Sequence, residues 1–555
     1  MAGQKFEMIF RKGRPLSEGA YPGFNPRTEK AEGMIIERDV AVPMRDGVKI
    51  YIDIFRPEAE GKYPPIIAWG PYGKHGLIKY GSLGNTGLND EDVNEYTVFE
   101  AADPVYWCRN GYVIINVDPR GCWSSEGDLT LMSEQEVEDC YDLIEWAGTQ
   151  GWSNGKVGMH GVSYLAWIQW KVAAAHPPHL AAINPWEGVS DFYRELAYHG
   201  GIPETLFVPM VYSFWCFSNT RAEDFAEMAK QYPLFDDYWA SKNADLSKIT
   251  VPAFVVASWA DHGLHNRGTL EGFKKIASKD KWLIIHGRKK WWHFYQPENV
   301  ERQRQFFNRF LKGIDNHVKD WPRVRLEVRE EYYVGKYRNE NEWPLACTQY
   351  TKLFLNASDG KMSKSSFEKE AQAGYNANDI TDKTQNVKFE FKFDEKTGAT
   401  GHMKLKLWVQ ADGSDDMDLF VAIEKIDRSG NLVPFAFFGN HDDGPVALGW
   451  LRVSHRELDE EKSTPYQPVH KHTREIKLKA GEIVPVEIEI WPSSTLFERG
   501  EKLRIVVQGS DIYWYPEEIH TDGHTATVNK REHVIYTGGK YDSHLLVPVI
   551  PAQSV

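Results

Sequence analysis

Cysteine is scarce in this chain of 555 residues. The five cysteines are Cys108, Cys122, Cys140, Cys216 and Cys347. Their number is odd, they are scattered, and no C-x-x-C pair occurs. This pattern argues against a disulfide framework and against a structural zinc site. We therefore expect reduced thiols, no metal ion and a cytoplasmic location.

An excess of basic residues is also absent. The chain has 65 Lys and Arg against 79 Asp and Glu, a formal net charge of −14. Nucleic acids and anionic membrane surfaces select clustered basic residues, so we expect neither as a partner. No apolar run reaches the roughly 18 residues of a membrane-spanning helix. The stretch from Met1 to Gly13 is mixed and charged and lacks the apolar core of a secretory signal.

What the chain has is an ordinary globular balance, with 42% hydrophobic and 26% charged residues. At roughly 150 residues per domain this length predicts two to four domains. Tryptophan is unusually abundant, with 20 in the chain. These side chains can line an apolar pocket or pack the core, and the sequence leaves both interpretations open. Many lie near the candidate site described below, namely Trp69, Trp107, Trp123, Trp167, Trp170, Trp259, Trp291 and Trp292.

Strand-like and helix-like segments alternate from Gly33 to about Trp186. Lys49–Phe55, Pro65–Trp69 and Tyr112–Val117 read as buried strands. Ser133 and Glu136 form an S-x-x-E capping box before a helical pattern. Strand, helix and strand in succession predict an α/β domain with a mostly parallel sheet.

The pattern changes twice further along the chain. The segment from Glu187 to about Ile249 is aromatic and helical in character, which predicts an inserted helical cap. Val251–Ala257 and Lys281–Ile285 then resume the sheet. After about Trp343, alternating apolar and polar segments separated by Gly, Asp and Ser turns predict an antiparallel β-sandwich.

The most specific local motif is Gly161-Val162-Ser163-Tyr164-Leu165. It follows a predicted strand and precedes a predicted helix, so the Ser163 side chain would sit on a tight turn as a nucleophile. The helix N-terminus would present N–H groups to a developing oxyanion. The general pattern G-x-S-x-G is only half met, since Leu165 stands at the second glycine position.

A serine nucleophile needs a base and an orienting acid. Asp261 follows the strand Val251–Ala257. When a nucleophilic serine lies on such a strand–turn–helix motif, the acid comes later in the chain, in a loop after a strand, and the histidine follows it. For the base, loop geometry favours His293 and a better fixed position favours His286; we expect only one of them to act. His262 and His265 lie in the loop that carries Asp261, the acid loop, and are weaker candidates for the base; we interpret each as a structural or substrate-shaping histidine.

These motifs together resemble the X-prolyl dipeptidyl-peptidase/cocaine esterase-like (CocE/NonD) family of serine hydrolases, over most of the chain. The turn around Ser163, the nucleophile elbow, matches the family pattern G-x-S-Y-x-G except that Ala166 replaces the last glycine. Further matching stretches are Arg45-Asp46-Gly47-Val48, Gly70-Pro71-Tyr72-Gly73, Asp118-Pro119-Arg120-Gly121, Ser124-Ser125-Glu126-Gly127, Gly449-Trp450-Leu451-Arg452-Val453-Ser454-His455-Arg456 and Thr537-Gly538-Gly539.

The resemblance implies an α/β-hydrolase domain, a helical cap and a C-terminal jelly-roll β-sandwich. We place the catalytic domain at residues 1–186 and 250–343, the cap at 187–249 and the jelly roll at 344–555. The resemblance also implies an oxyanion hole formed by the Tyr72 hydroxyl and the Tyr164 backbone N–H. For the base, a W-x-H loop supports His293 and an H-G-R-x-x-W loop supports His286; we favour His286 and keep both open.

The expected activity is hydrolysis of a carboxylic ester of a small organic acid through an acyl-enzyme, without a cofactor. An amide or peptide substrate is the first alternative, for which Glu187, Asp191 or Glu195 could bind an amino terminus. A non-catalytic binding protein is the second alternative. Whether the chain forms a homo-oligomer is left open.

Two further groups of residues could ligate metal, but we interpret them otherwise. We read the acidic cluster as a turn, and we expect His470 and His472 to be solvated. The cluster comprises Asp412, Asp415, Asp416 and Asp418.

Overall fold

The computed structural model describes residues 6–19, 21–76, 78–379, 381–515 and 523–551. The predicted outer domain limits, Met1 and Val555, lie outside these ranges. A central sheet organises the first part of the chain. Its strands are β1 (Met34–Pro43), β2 (Lys49–Pro57), β3 (Pro65–Trp69), β4 (Val113–Asp118), β5 (Val157–Val162), β6 (Leu180–Trp186), β7 (Ala253–Ser258), β8 (Lys281–His286), β9 (Val324–Glu331) and β10 (Val334–Glu340).

These strands lie in the order β1-β2-β4-β3-β5-β6-β7-β8-β9-β10, and a short strand at Arg27–Ala31 pairs antiparallel with β1. From β4 to β9 neighbouring strands are parallel, whereas β1, β2 and β10 pair antiparallel. All residues of β3, β4, β5 and β7 are buried, as expected for strands covered on both faces. The predicted parallel core is therefore present.

Helices cover the sheet and fill the connections. They are α1 (Pro104–Arg109), α2 (Glu134–Thr149), α3 (Tyr164–Ala174), α4 (Phe207–Trp215), α5 (Phe225–Gln231), α6 (Asp237–Lys242), α7 (Asn266–Lys275), α8 (Lys290–Tyr295) and α9 (Pro297–Leu311). Ser133 caps α2 as predicted, because its Oγ accepts from Glu136 N at 3.1 Å. The Glu136 carboxylate accepts from Met132 N at 2.6 Å and from Trp69 Nε1 at 2.9 Å, so it also ties the helix to β3.

The segment between β6 and β7 carries α4, α5 and α6. It also holds a π-helical turn at Tyr193–Ala197 and two-residue strands at Tyr198–His199 and Ile202–Pro203. A third short strand, Arg221–Glu223, pairs with Phe10–Lys12. The predicted helical character is therefore present, with short strands that the sequence pattern did not indicate.

The remainder of the chain is an antiparallel β-domain with a core of its own. Thr397–Ala411 pairs with Val484–Phe497, and Asp418–Ile426 pairs with both Lys502–Gln508 and Ala447–Arg452. The other strands include Gln349–Asn356, Lys361–Ser363, Ala371–Asn376, Asn386–Lys392, Leu432–Val433, Phe435–Phe437, His441–Gly444, Glu532–Thr537 and His544–Ile550. No helix among the described residues is long and apolar enough to cross a membrane.

Two buried arginines connect the β-domain to the rest of the molecule. Arg329 at the end of β9 donates to Ser493 Oγ at 2.7 Å and to the Val446 carbonyl at 2.8 Å. Arg267 in α7 lies 2.7 Å from Glu195 and 3.0 Å from Glu489. The β-domain therefore packs directly against the helix that follows the acid loop.

Members of both groups of residues considered above as possible metal ligands are engaged within the protein. His470 and His472 are buried and not solvated as expected, and His472 Nδ1 lies 3.0 Å from His455 Nδ1. In the acidic cluster, Asp418 forms an ion pair with Arg452 at 2.7 Å, and Asp416 accepts from Ser454 N at 2.9 Å. Those two carboxylates are thus engaged by the protein itself.

Candidate active site

Ser163 lies on a strained turn between β5 and α3. Its φ of 58° and ψ of −120° fall in a region that residues with a side chain rarely adopt. The Ser163 N–H is shared between the carbonyls of Trp186 at 3.0 Å and Glu187 at 3.2 Å, which holds the turn. At Gly161, with φ 138°, a Cβ would lie 2.5 Å from Leu165 Cδ2. Only glycine fits there, as the elbow motif indicates.

The Ser163 hydroxyl contacts a histidine from the acid loop. Ser163 Oγ is 3.0 Å from His265 Nε2, and His265 Nδ1 is 2.5 Å from Asp261 Oδ2. Asp261 follows β7, and His265 directly precedes α7. With Nδ1 protonated toward the carboxylate, Nε2 is an acceptor for the serine hydroxyl. The three side chains thus form a nucleophile–base–acid chain.

The predicted histidines are not in this chain, and the structure corrects that expectation. His286 Nε2 lies 3.1 Å from Glu187 Oε1, and its Nδ1 accepts from Arg288 N at 3.2 Å, so both ring nitrogens are engaged elsewhere. His293 lies in α8 behind His286, with ring centroids 3.9 Å apart. The two rings thus pack against each other where β8 leads into α8, and the histidine at Ser163 Oγ is His265.

One sequence signal could have found His265. It stands four residues after Asp261, the spacing that brings two side chains together across one helical turn. The Asn266 N–H donates to the Asp261 carbonyl at 2.9 Å, so the acid loop turns in this way. His262, its neighbour in the loop, instead accepts from Leu448 N at 3.4 Å.

Tyr72 and the Tyr164 backbone N–H, the two groups expected to form the oxyanion hole, lie beside Ser163. The Tyr72 phenol interacts with the Ser163 side chain, the Tyr164 backbone N–H and Glu100. Burial raises the pKa of Tyr72 well above its ordinary value, so the hydroxyl keeps its proton as a donor. The Tyr164 hydroxyl donates to Glu136 at 2.9 Å, which directs its ring away and leaves its backbone N–H beside Ser163.

A buried charge network surrounds Asp261. Lys290 Nζ lies 3.0 Å from Asp261 Oδ2. Although burial opposes ionisation, Lys290 and His265 hold the pKa of Asp261 far below its ordinary value. Burial, followed by the charge of Asp261, raises the pKa of Glu187 well above its ordinary value. Glu187 therefore holds its proton more strongly than an ordinary carboxyl group does.

Ser163 forms part of the wall of a cavity. Its walls are mainly apolar, with Glu100 and Lys290 as the charged groups. The apolar lining comes from Ile78, Phe99, Phe207, Met210, Val211, Phe214, Trp215, Leu264, Trp291 and Phe438. Trp291 is the one predicted tryptophan in this lining; Trp69, Trp107, Trp123, Trp167, Trp170 and Trp259 are instead fully buried packing residues.

The three carboxylates considered as amino-terminus ligands have protein partners. Asp191 pairs with Arg194 at 2.7 Å, and Glu195 pairs with Arg267 at 2.7 Å. Glu187 contacts His286 and Asp261. The carboxyl group that does line the cavity is Glu100, which the sequence did not indicate.

Potential metal ligands within the described residues coincide with the catalytic chain. Atoms of Glu187, Asp261 and His265 lie within 4.8 Å of one another. The Lys290 ammonium already occupies the cation position at Asp261 Oδ2, 3.0 Å away. A metal ion would have to displace it, so this group fits an ion poorly.

Strand order, elbow and catalytic chain define an α/β-hydrolase with a serine nucleophile. Comparison with protein families agrees: residues 46–295 match X-Pro dipeptidyl-peptidase (S15 family), and residues 316–546 match the X-Pro dipeptidyl-peptidase C-terminal non-catalytic domain. The chain is 24% identical to cocaine esterase from Rhodococcus sp. (strain MB1 Bresler), over 93% of this chain and 98% of the relative.

Solved structures give the same answer. A crystal structure of a CocE/NonD family hydrolase from Staphylococcus aureus is 47% identical, with TM-score 0.89, and covers 93% of this chain and 94% of that one. An aminopeptidase from a marine sediment Thaumarchaeota archaeon, 15% identical with TM-score 0.71 over 95% of this chain and 99% of that one, shares the fold. The chain belongs to the X-Pro dipeptidyl-peptidase/CocE family of serine hydrolases.

Proposed function

We propose that this hydrolase cleaves carboxylic esters of small organic acids through an acyl-enzyme on Ser163. The observation that carries the proposal is the continuous chain from Ser163 Oγ through His265 to Asp261, with links of 3.0 and 2.5 Å. In this proposal the base is His265, whereas the sequence pattern favours His286 or His293.

In the first half-reaction His265 Nε2 removes the proton of Ser163 as Oγ attacks the substrate carbonyl carbon. Asp261 holds the imidazole in the required tautomer and stabilises the imidazolium. The imidazolium then gives its proton to the leaving alcohol oxygen as the ester C–O bond breaks. In the second half-reaction His265 activates a water molecule, which releases the acid and regenerates Ser163.

The carbonyl oxygen becomes an oxyanion at each tetrahedral intermediate. The Tyr72 hydroxyl and the Tyr164 N–H are the donors proposed for it, since both lie beside the serine. Two fixed donors stabilise the developing charge far more than they stabilise the ground-state carbonyl. The free backbone N–H groups at the start of α3 would also favour a negative charge at this position.

The apolar lining supports a small, largely uncharged acyl group. The test is hydrolysis of p-nitrophenyl esters of increasing acyl length by the wild type and by Ser163→Ala. We expect activity that is highest for short acyl chains and is abolished in Ser163→Ala. Full activity of Ser163→Ala on any ester would overturn the proposed nucleophile.

An amide or peptide substrate is the second candidate. It has support from the X-Pro dipeptidyl-peptidase family match and from the Glu100 carboxyl in the cavity wall, which could bind a substrate amino terminus. X-prolyl anilides and acyl anilides, assayed beside the esters, separate the two. A higher kcat/KM for an X-prolyl anilide than for every ester would assign the peptidase reaction instead.

Three structural expectations remain proposals. The division into residues 1–186 with 250–343, 187–249 and 344–555 follows the changes in element type along the chain. The jelly-roll order of the C-terminal strands and a cytoplasmic location also remain proposals. A non-catalytic binding role for the whole protein has no support from the site, and the Ser163→Ala assay addresses it directly.

A further inference from the structure

A lysine is buried against the catalytic acid. Lys290 begins α8, after β8, and is 3% exposed. Its Nζ lies 3.0 Å from Asp261 Oδ2 and 3.3 Å from His265 Nδ1. The same carboxylate oxygen accepts from His265 Nδ1 at 2.5 Å. Asp261 Oδ2 therefore accepts hydrogen bonds from both the Lys290 ammonium and the His265 imidazole.

Burying an ammonium is costly unless a charge partner is present, so this contact has to offset that cost. In a serine hydrolase of this fold the histidine follows the acid in the chain, which predicts it in the loop after β8, the next strand beyond Asp261. Here that loop supplies Lys290, whereas the histidine comes from the acid loop. The Lys290 ammonium thus lies close to both Asp261 and His265.

Every element packed around the pair contributes a titratable or charged group. Glu187 follows β6, Glu100 precedes α1, and His286 ends β8. Burial raises the pKa of Glu100 to about 7 and that of Glu187 well above its ordinary value, while burial lowers the pKa of His286 to about 3. The neighbouring Arg288 is bonded to Glu327. Asp261 is thus the fully ionised carboxylate that Lys290 faces.

The Lys290 ammonium lowers the pKa of His265. Burial lowers the pKa of His265 to about 4, with Asp261 raising it and Lys290 lowering it. A cation 3.3 Å from Nδ1 disfavours the imidazolium, whereas it holds the Asp261 carboxylate in place for the neutral imidazole. The neutral form is the one that accepts the serine proton.

We propose that Lys290 is a positioning residue of the active site, which fixes the Asp261 carboxylate and keeps His265 in its neutral, base-competent form. The inference rests on the proposed function, since it assumes that His265 is the base for Ser163. Lys290 acts through Asp261 and His265 and takes no part in bond making or breaking.

The test compares Lys290→Met, which keeps length and removes charge, with Lys290→Arg, which keeps charge. Lys289→Met is the matched control, because Lys289 is also buried but donates to the Asn85 carbonyl at 2.6 Å and pairs with Asp442. The readout is the acid limb of kcat/KM against pH. Enzyme held at pH 7.5 is diluted into each assay buffer and initial rates are taken before unfolding.

We expect the limb midpoint of Lys290→Met to rise by about one pH unit or more, because loss of the cation raises the pKa of His265. Lys290→Arg should restore the midpoint to within about 0.3 units, which is within the error of such a titration, and Lys289→Met should leave it unchanged. An unchanged midpoint in Lys290→Met, or an equal rise in Lys289→Met, would overturn the proposal.

A second measurement covers poor folding of Lys290→Met. The rate constant for labelling of Ser163 by a fluorophosphonate depends on the protonation of its base and not on the amount of folded protein. Its pH dependence should shift in the same direction. If Ser163→Ala or His265→Ala remains fully active, the proposed function fails; if both are inactive and the limb does not move, only the role of Lys290 fails.

Discussion

His286 Nε2 lies 3.1 Å from Glu187 Oε1, so the histidine at the end of β8 contacts a carboxyl group and not Ser163. The contact has a functional consequence. His286→Asn and His293→Asn should keep kcat/KM for a p-nitrophenyl ester within about tenfold of wild type, because neither ring reaches the nucleophile.

Thermal melting of both variants provides the control. Each change disturbs buried packing, so we expect a lower Tm together with retained activity. A loss of activity as large as that of Ser163→Ala, in a folded His286→Asn or His293→Asn protein, would return the base to one of these histidines.

Tyr72→Phe removes one proposed oxyanion donor and keeps the ring. We expect kcat to fall by roughly 10²-fold with little change in KM, because the hydrogen bond strengthens only as charge develops. Tyr112→Phe is the matched control, since it removes a buried hydroxyl that donates to Asn308 at 2.8 Å and does not line the cavity with Ser163. Equal activities of the Tyr72→Phe and Tyr112→Phe proteins would exclude the phenol from the reaction.

Acid should destabilise the fold through buried histidines. Burial lowers the pKa of His199, His262, His286, His470 and His533 to about 3. In the unfolded chain each has a pKa of about 6.5. The unfolded state therefore binds more protons below that value, so the stability present above pH 6.5 is lost as pH falls toward 3.

Thermal melts at fixed ionic strength between pH 8 and pH 5 measure this effect. We expect Tm to be nearly constant above pH 7 and to fall by at least about 10 °C by pH 5. A Tm that stays level down to pH 5 would show that these histidines titrate normally in the folded protein.

Arg267 holds two carboxylates from different parts of the molecule, Glu195 and Glu489. Arg267→Met should lower the free energy of unfolding by about 3 kcal/mol or more, because it removes the cation that pairs with these two carboxylates. Glu489→Gln should cost less, since Arg267 keeps Glu195. Urea denaturation of both variants measures the difference, and the reverse order of stability would contradict this assignment.

The buried strands of the central sheet and the position of Ser163 follow from patterns within short stretches of sequence. Buried strands read as apolar runs, and Gly161 with Ser163 marks the turn because sterics there exclude other residues. Asp261 could be placed for the same reason, since it directly follows a recognisable strand. The alternating segments after Trp343 predicted a C-terminal β-domain, and the family resemblance, which the comparisons confirm, agrees with it.

The base could not be chosen in this way because the choice depends on where side chains point after the chain folds. His286 and His293 stand in the expected part of the sequence, but Glu187 and their mutual packing hold both rings. Glu100 and Lys290 are single charged residues without a motif. Their burial beside Ser163 results from contacts between segments distant in the sequence.

The central claim is that His265 is the base for Ser163, and single substitutions test it most directly. The measurement is kcat for a short-chain p-nitrophenyl ester in His265→Ala, Ser163→Ala and the double variant, with folding checked by circular dichroism. The account predicts a loss of about 10⁴-fold or more in each single variant and no further loss in the double variant. A folded His265→Ala protein that retains a tenth or more of wild-type kcat would contradict it.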